Sequence, residues 1–132
     1  MSAKQKLEDL KPYIYRCIHC RACRFSYSGE PNKKGVDKYY GIVSGCPSGE
    51  IGEWEAYWNS GKMWIARAIL DGSLPVSSEL QDILYKCTTC GNCQVQCENC
   101  IPTVDILELL REVYVEEGLP LLPRHQMIKD SV

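Results

Sequence analysis

The chain has 132 residues, 45% hydrophobic and 24% charged, with a net charge of −2 and a pI near 5.7. That composition excludes a largely disordered chain, the scattered basic residues exclude a nucleic-acid footprint, and no run reaches the ~18 apolar residues of a membrane span. Length predicts one main core, and the nine cysteines are the anomaly.

From Met1 to Lys11 the residues Lys4, Lys6, Glu8 and Asp9 interrupt the apolar positions, so no secretory signal is legible there. A reducing compartment, the cytoplasm, is the expectation, and in it thiolates bind metals more often than they pair as disulfides. Leu7, Leu10 and Ile14 recur at helical spacing and predict a short helix, kinked or reset at Pro12, that leads into the first cysteines. Gly29, Pro31, Asn32, Gly35, Gly41 and Gly45 make the stretch from Phe25 to Gly45 a loop between ligands.

Trp54, Tyr57, Trp58, Trp64, Ile65, Ala68 and Ile69 recur at three- and four-residue steps. They predict a helical aromatic face, either packed into the core or serving as an apolar docking surface, divided near Asn59, Ser60 and Gly61 and closed by Gly72. Ser78 with Gln81 matches a capping box, so a short helix runs into Cys87. Pro102 opens a further helix with an apolar face of Ile106, Leu107, Leu109, Leu110, Val113 and Tyr114, and Gly118 stops it. Residues 1–118 form the domain, and 119–132, with Pro120 and Pro123, read as an extended arm. No alternating strand pattern appears, so the fold class is mainly α.

The cysteines carry the chemistry. Cys17, Cys20 and Cys23 form one C-x2-C-x2-C run, and Cys87, Cys90, Cys93 and Cys97 form another that continues to C-x2-C-x2-C-x3-C. A cubane cluster needs four thiolates at tetrahedrally disposed irons, and three cysteines at two-residue intervals let one loop wrap three corners. Structural zinc uses C-x2-C pairs and does not call for the third cysteine that occurs here twice. Ser60-Gly61-Lys62 lacks the upstream glycine of a phosphate loop, since Ala56 stands there, and reads as a turn or helix break. His19 reads as a spacer or a donor to a ligand, and His125 has no role. Arg16, Arg21, Arg24 and Lys86 flank the runs as solvated charge, or else as partial compensation for anionic clusters.

These runs resemble two-cluster ferredoxins, in which the last cysteine of each run serves the other cluster. The resemblance implies two 4Fe–4S clusters, one on Cys17, Cys20, Cys23 and Cys97, the other on Cys87, Cys90, Cys93 and Cys46. Cys46 is followed by Pro47, as such a remote ligand should be, whereas Cys97 is followed by Glu98. Cys100 is surplus and competes with Cys97, which is preferred for its x3 spacing.

Further residues narrow the resemblance: Cys46-Pro47-Ser48-Gly49-Glu50, Gly61-Lys62-Met63 ahead of Ala66-Arg67-Ala68, and Tyr85-Lys86-Cys87-Thr88-Thr89-Cys90-Gly91. From about Tyr15 to Gly118 the chain is similar to the C subunit of heterodisulfide reductase and to the amino-terminal domain of the D subunit and the glycolate oxidase iron–sulfur subunit. That likeness implies a helical ferredoxin-like domain with two cubanes between helices, relaying electrons in an anaerobic oxidoreductase complex without catalysis of its own. Its implied partners are a catalytic cysteine-rich subunit and a flavin-containing subunit. The alternative from the residues alone is an iron–sulfur or zinc module that stiffens a larger assembly.

Overall fold

The structure is a computed structural model and describes residues 1–28 and 41–132. The first helix, α1 (Ala3–Asp9), starts on a capping box: the Gln5 N–H donates to Ser2 Oγ at 3.2 Å, and the Ser2 N–H donates to Gln5 Oε1 at 2.8 Å. Pro12 cannot continue α1 because it lacks an N–H, so Leu10 ends it and α2 (Lys11–Ile14) begins with proline in its first turn.

Two four-residue strands follow, β1 (Phe25–Ser28) and β2 (Gly41–Ser44), paired antiparallel with Phe25 opposite Ser44 and Ser28 opposite Gly41. The ends of the expected loop are therefore a ribbon, built from the β-prone Phe25, Tyr27, Ile42 and Val43. Strands this short carry too few alternations to register as a period of two. The expected turn positions Gly29, Pro31, Asn32 and Gly35 lie outside the described residues.

The remaining elements are α3 (Pro47–Gly52), α4 (Asn59–Leu70), α5 (Glu79–Tyr85), α6 (Asn92–Val95), α7 (Thr103–Glu116) and α8 (Pro123–Asp130), so the chain is mainly α as expected. The core is organised by α7, whose Ile106, Leu107, Leu110, Val113 and Tyr114 are all buried against α1, α4 and α5. Ala3 and Leu7 of α1, Met63, Ala66 and Ile69 of α4, and Leu80 and Leu84 of α5 complete it. Each fully buried aliphatic side chain contributes about 1.5–3 kcal/mol, which outweighs the exposed Lys6–Glu112 pair that also joins α1 to α7.

Three further expectations are corrected. The aromatic stripe is core only in part: Ile69 is buried, whereas Trp54 is 67% and Trp64 49% exposed. The expected division falls at Trp58, whose extended backbone separates a 3-10 turn, Glu55–Tyr57, from α4, so the stripe before it is not on one helical face with the stripe after it. At Ser78 no capping bond forms; the Gln81 side chain donates to the Pro120 carbonyl at 2.6 Å and holds the following segment instead. The tail is not extended throughout, because Pro123 occupies the first turn of α8 and presets its backbone.

Candidate metal centre

Both cysteine triples wrap in the same way. His19 (φ 57°) and Arg21 (φ 67°) flank Cys20 in the left-handed region, and Thr89 (φ 51°) and Gly91 (φ 80°) flank Cys90 likewise. This repeated pair of reversals curls each run into a cup, at a backbone cost of roughly 1–2 kcal/mol for each non-glycine residue. Within the cups the Thr89 N–H donates to Cys87 Sγ at 3.4 Å, and the His19 N–H bonds Cys17. The middle cysteines, Cys20 and Cys90, are exposed at the outer edges.

Each third cysteine meets the start of a long helix. Cys23 is buried beneath the first turn of α4, hydrogen-bonded by the Asn59 side chain and the Ser60 N–H. Cys93 lies 3.0 Å from Oγ1 of the fully buried Thr103, the first residue of α7. Burial pushes the Cys17 and Cys23 thiols above their ordinary range, and Cys93 is pushed up to about 11 although Thr103 opposes this. In iron-free protein, Cys93 is therefore expected to be the slowest of these three cysteines to alkylate at pH 8. Its rate should climb about tenfold per pH unit until pH 11, because only the thiolate reacts. Mass spectrometry of iodoacetamide-treated peptides at pH 7 to 11 checks this, and a rate that levels off near pH 9 would contradict it.

The remote cysteines complete two cavities. Cys46 caps α3 and, with Cys87, Cys90 and Cys93, lines a cavity that Ser48, Asn59 and Lys62 also border. Cys97 lines a second cavity together with Cys17, Cys20 and Cys23. Cys46, Cys87, Cys90 and Cys93 thus border one cavity and Cys17, Cys20, Cys23 and Cys97 the other. Cys100 borders neither cavity; it is exposed, with φ 50°. Asn59 borders both, so the first turn of α4 is the partition between them.

Among the described residues no three Cys, His, Asp or Glu side chains converge where a single metal ion would sit. A cubane does not require that, since its four thiolates bind four different irons. Four sulfur donors around each cavity, with N–H donors to sulfur and a buried ammonium beside one of them, fit such a group.

The flanking charges are not simply solvated. Glu55 collects His19 Nε2 at 2.8 Å, the Arg24 guanidinium, Arg21 at 3.8 Å and the Ser60 hydroxyl at 2.7 Å. Lys86 pairs with Asp82, and the Arg16 guanidinium lies over the Tyr13 ring. His125 packs against Tyr85 with ring centroids 5.0 Å apart. Two important residues were not singled out from the sequence. The Arg111 guanidinium donates to the carbonyls of Leu84 and Cys87, satisfying the end of α5 and fixing the second cup. Lys62 is buried beside the Cys46 cavity.

A helical frame that turns two cysteine cups toward paired cavities defines an iron–sulfur domain. Residues 13–101 match the family described as the 4Fe-4S dicluster domain, and the chain belongs to that family. It is 36% identical over 120 residues to the C subunit of the ferredoxin/F(420)H(2)-dependent CoB-CoM heterodisulfide reductase of Methanosarcina acetivorans, a match that takes in 90% of this chain and 56% of that protein. It is 32% identical over 110 residues to the D subunit of the dihydromethanophenazine:CoB–CoM heterodisulfide reductase of Methanosarcina barkeri, a match that takes in 78% of this chain and 24% of that protein. The chain thus spans about half the length of the first relative and a quarter of the second. No solved structure gives a significant match. Among the described residues no helix is long and apolar enough to cross a membrane.

Proposed function

We propose that this chain carries two 4Fe–4S clusters, one on Cys17, Cys20, Cys23 and Cys97 and one on Cys46, Cys87, Cys90 and Cys93, and relays electrons to or from the catalytic component of a heterodisulfide-reductase-like complex. The reading is carried by the division of eight cysteines between two adjoining cavities, each taking one thiol from the other half of the chain. The protein supplies ligands, spacing and the electrostatic setting, while the clusters supply one-electron chemistry when bound. The exposed Cys20 and Cys90 give each cluster a corner near the surface, where a redox partner can approach. A cysteine-rich catalytic subunit and a flavin-containing subunit are the partners that the likeness to heterodisulfide reductase favours, and the reducing cytoplasm is the compartment in which nine free thiols persist.

Anaerobic purification followed by iron and sulfide analysis tests the reading. Two clusters require about eight of each per chain, and dithionite should produce the EPR spectrum of reduced four-iron clusters. Zinc without acid-labile sulfide, or clusters that cannot be reduced, would sink the relay.

A further inference from the structure

Lys62 is the only charged side chain among the described residues that is buried, at 1% exposure. Its Nζ donates to Ser48 Oγ at 2.9 Å and to the Tyr57 carbonyl. The Ser48 hydroxyl donates its own hydrogen to that same carbonyl at 2.9 Å, so Ser48 can only accept from Lys62. Both partners are neutral. An ammonium taken out of water with neutral acceptors alone is strongly disfavoured, and it persists where an opposite charge lies beside it.

That opposite charge belongs to the cavity of Cys46, Cys87, Cys90 and Cys93, which Lys62 borders. Burial pulls Lys62 below the usual lysine range, and Cys87, Cys46 and Cys93 as thiolates oppose that by favouring its charged form. Among the described residues the first cavity is bordered by no buried charged side chain. Arg21, on its wall, is 56% exposed and screened by water, and the less exposed Arg24, at 18%, is paired directly with Glu55, which offsets its charge.

We propose that the Lys62 ammonium is a built-in counter-charge for the second cluster alone, raising its reduction potential above the value its thiolates would otherwise set and favouring that cluster as the holder of the electron. This rests on the reading of both cavities as cluster sites. Reduction there adds one electron from a one-electron donor, makes or breaks no bond, and makes the cluster more negative by one charge. With Lys62 held in its charged form by the anionic ligands, the added charge is met without proton uptake.

The test is an EPR-monitored potential titration, with dithionite as reductant, of anaerobically purified wild type, Lys62→Met and Lys62→Arg, each checked for iron and sulfide. In Lys62→Met one of the two midpoints should fall, so that at a fixed potential the reduced-to-oxidised ratio of that cluster drops at least tenfold, or 59 mV for a one-electron couple. Lys62→Arg should keep that ratio within about threefold of wild type, which mere loss of packing would not predict. Combining Lys62→Met with Cys97→Ser should leave the shift on the single remaining cluster. Fully loaded Lys62→Met with both midpoints unmoved, or a shift that vanishes in the combined variant, overturns the role of Lys62. Wild type without iron and sulfide overturns the cluster reading instead. If Lys62→Met does not load, Lys62→Gln is compared with Lys62→Arg: a lower midpoint in the glutamine variant upholds the proposal, and equal midpoints refute it.

Discussion

Replacing Cys97 by serine is expected to leave about four irons per chain, while Cys100→Ser retains about eight. Cys97 is half-buried, packs against the hydrophobic core and borders the first cavity with three other thiols. Cys100 sits one turn further on, its N–H bonded to the Cys97 carbonyl at 3.0 Å and its backbone in the left-handed region, which carries it outward into solvent. Glu98 and Asn99, the two residues between them, decide which thiol faces the cup. Iron analysis of the two variants measures the difference, and loss of a cluster from Cys100→Ser alone would reverse the assignment. The EPR spectrum of Cys97→Ser should also lose any broadening due to coupling between neighbouring clusters.

Gly61→Ala is expected to cost about 3 kcal/mol, the upper end of ordinary overpacking, and to lower iron at both sites together. A β-carbon on Gly61 would lie 2.2 Å from the Glu55 carbonyl oxygen and 2.7 Å from the Ala56 Cα, and backbone cannot swing aside as a side chain can. The first turn of α4 would have to leave the Glu55–Tyr57 turn. That turn holds Lys62 through the Tyr57 carbonyl and Ser60 through Glu55, while Asn59 and Ser60 bond Cys23. Gly72→Ala is the control: nothing lies within 4 Å of its added carbon, so only its φ of +72° is penalised, by about 1 kcal/mol. Anaerobic urea unfolding of the two variants checks the contrast, and equal losses would show that the close approach at Gly61 relaxes freely.

That Cys17, Cys20 and Cys23 border one cavity and Cys87, Cys90 and Cys93 the other was legible in the sequence because spacing is a local code: a run with two residues between cysteines keeps its thiols together, whereas the places of Cys46 and Cys97 came only from the family resemblance. Helix α7 was legible for the same kind of reason, its apolar stripe and flanking Pro102 and Gly118 all lying within one element. What escaped depends on which segment meets which. Lys62 gives no sign of burial in its own neighbourhood, because the acceptors that hold it come from Ser48 and from the far side of a turn at Tyr57. Gln81 had the right spacing to cap α5, but the Pro120 carbonyl competes for its amide. Trp54 and Trp64 were misread because the phase of a helical stripe survives only while the helix does, and extended backbone at Trp58 resets it.

The short ribbon of β1 and β2 has a consequence for how the second cavity obtains its remote thiol. Cys23 and Cys46 are separated by 22 residues in sequence, a span whose closure by an unpaired chain would set a wide range of separations. The Phe25–Ser44 pairing and the Gly45 N–H bond to the Arg24 carbonyl at 2.8 Å bring the two ends together within a few residues of each cysteine. The ribbon acts as a clasp, with its register setting where Cys46 arrives and the length of chain beyond the clasp dropping out of the ligand geometry.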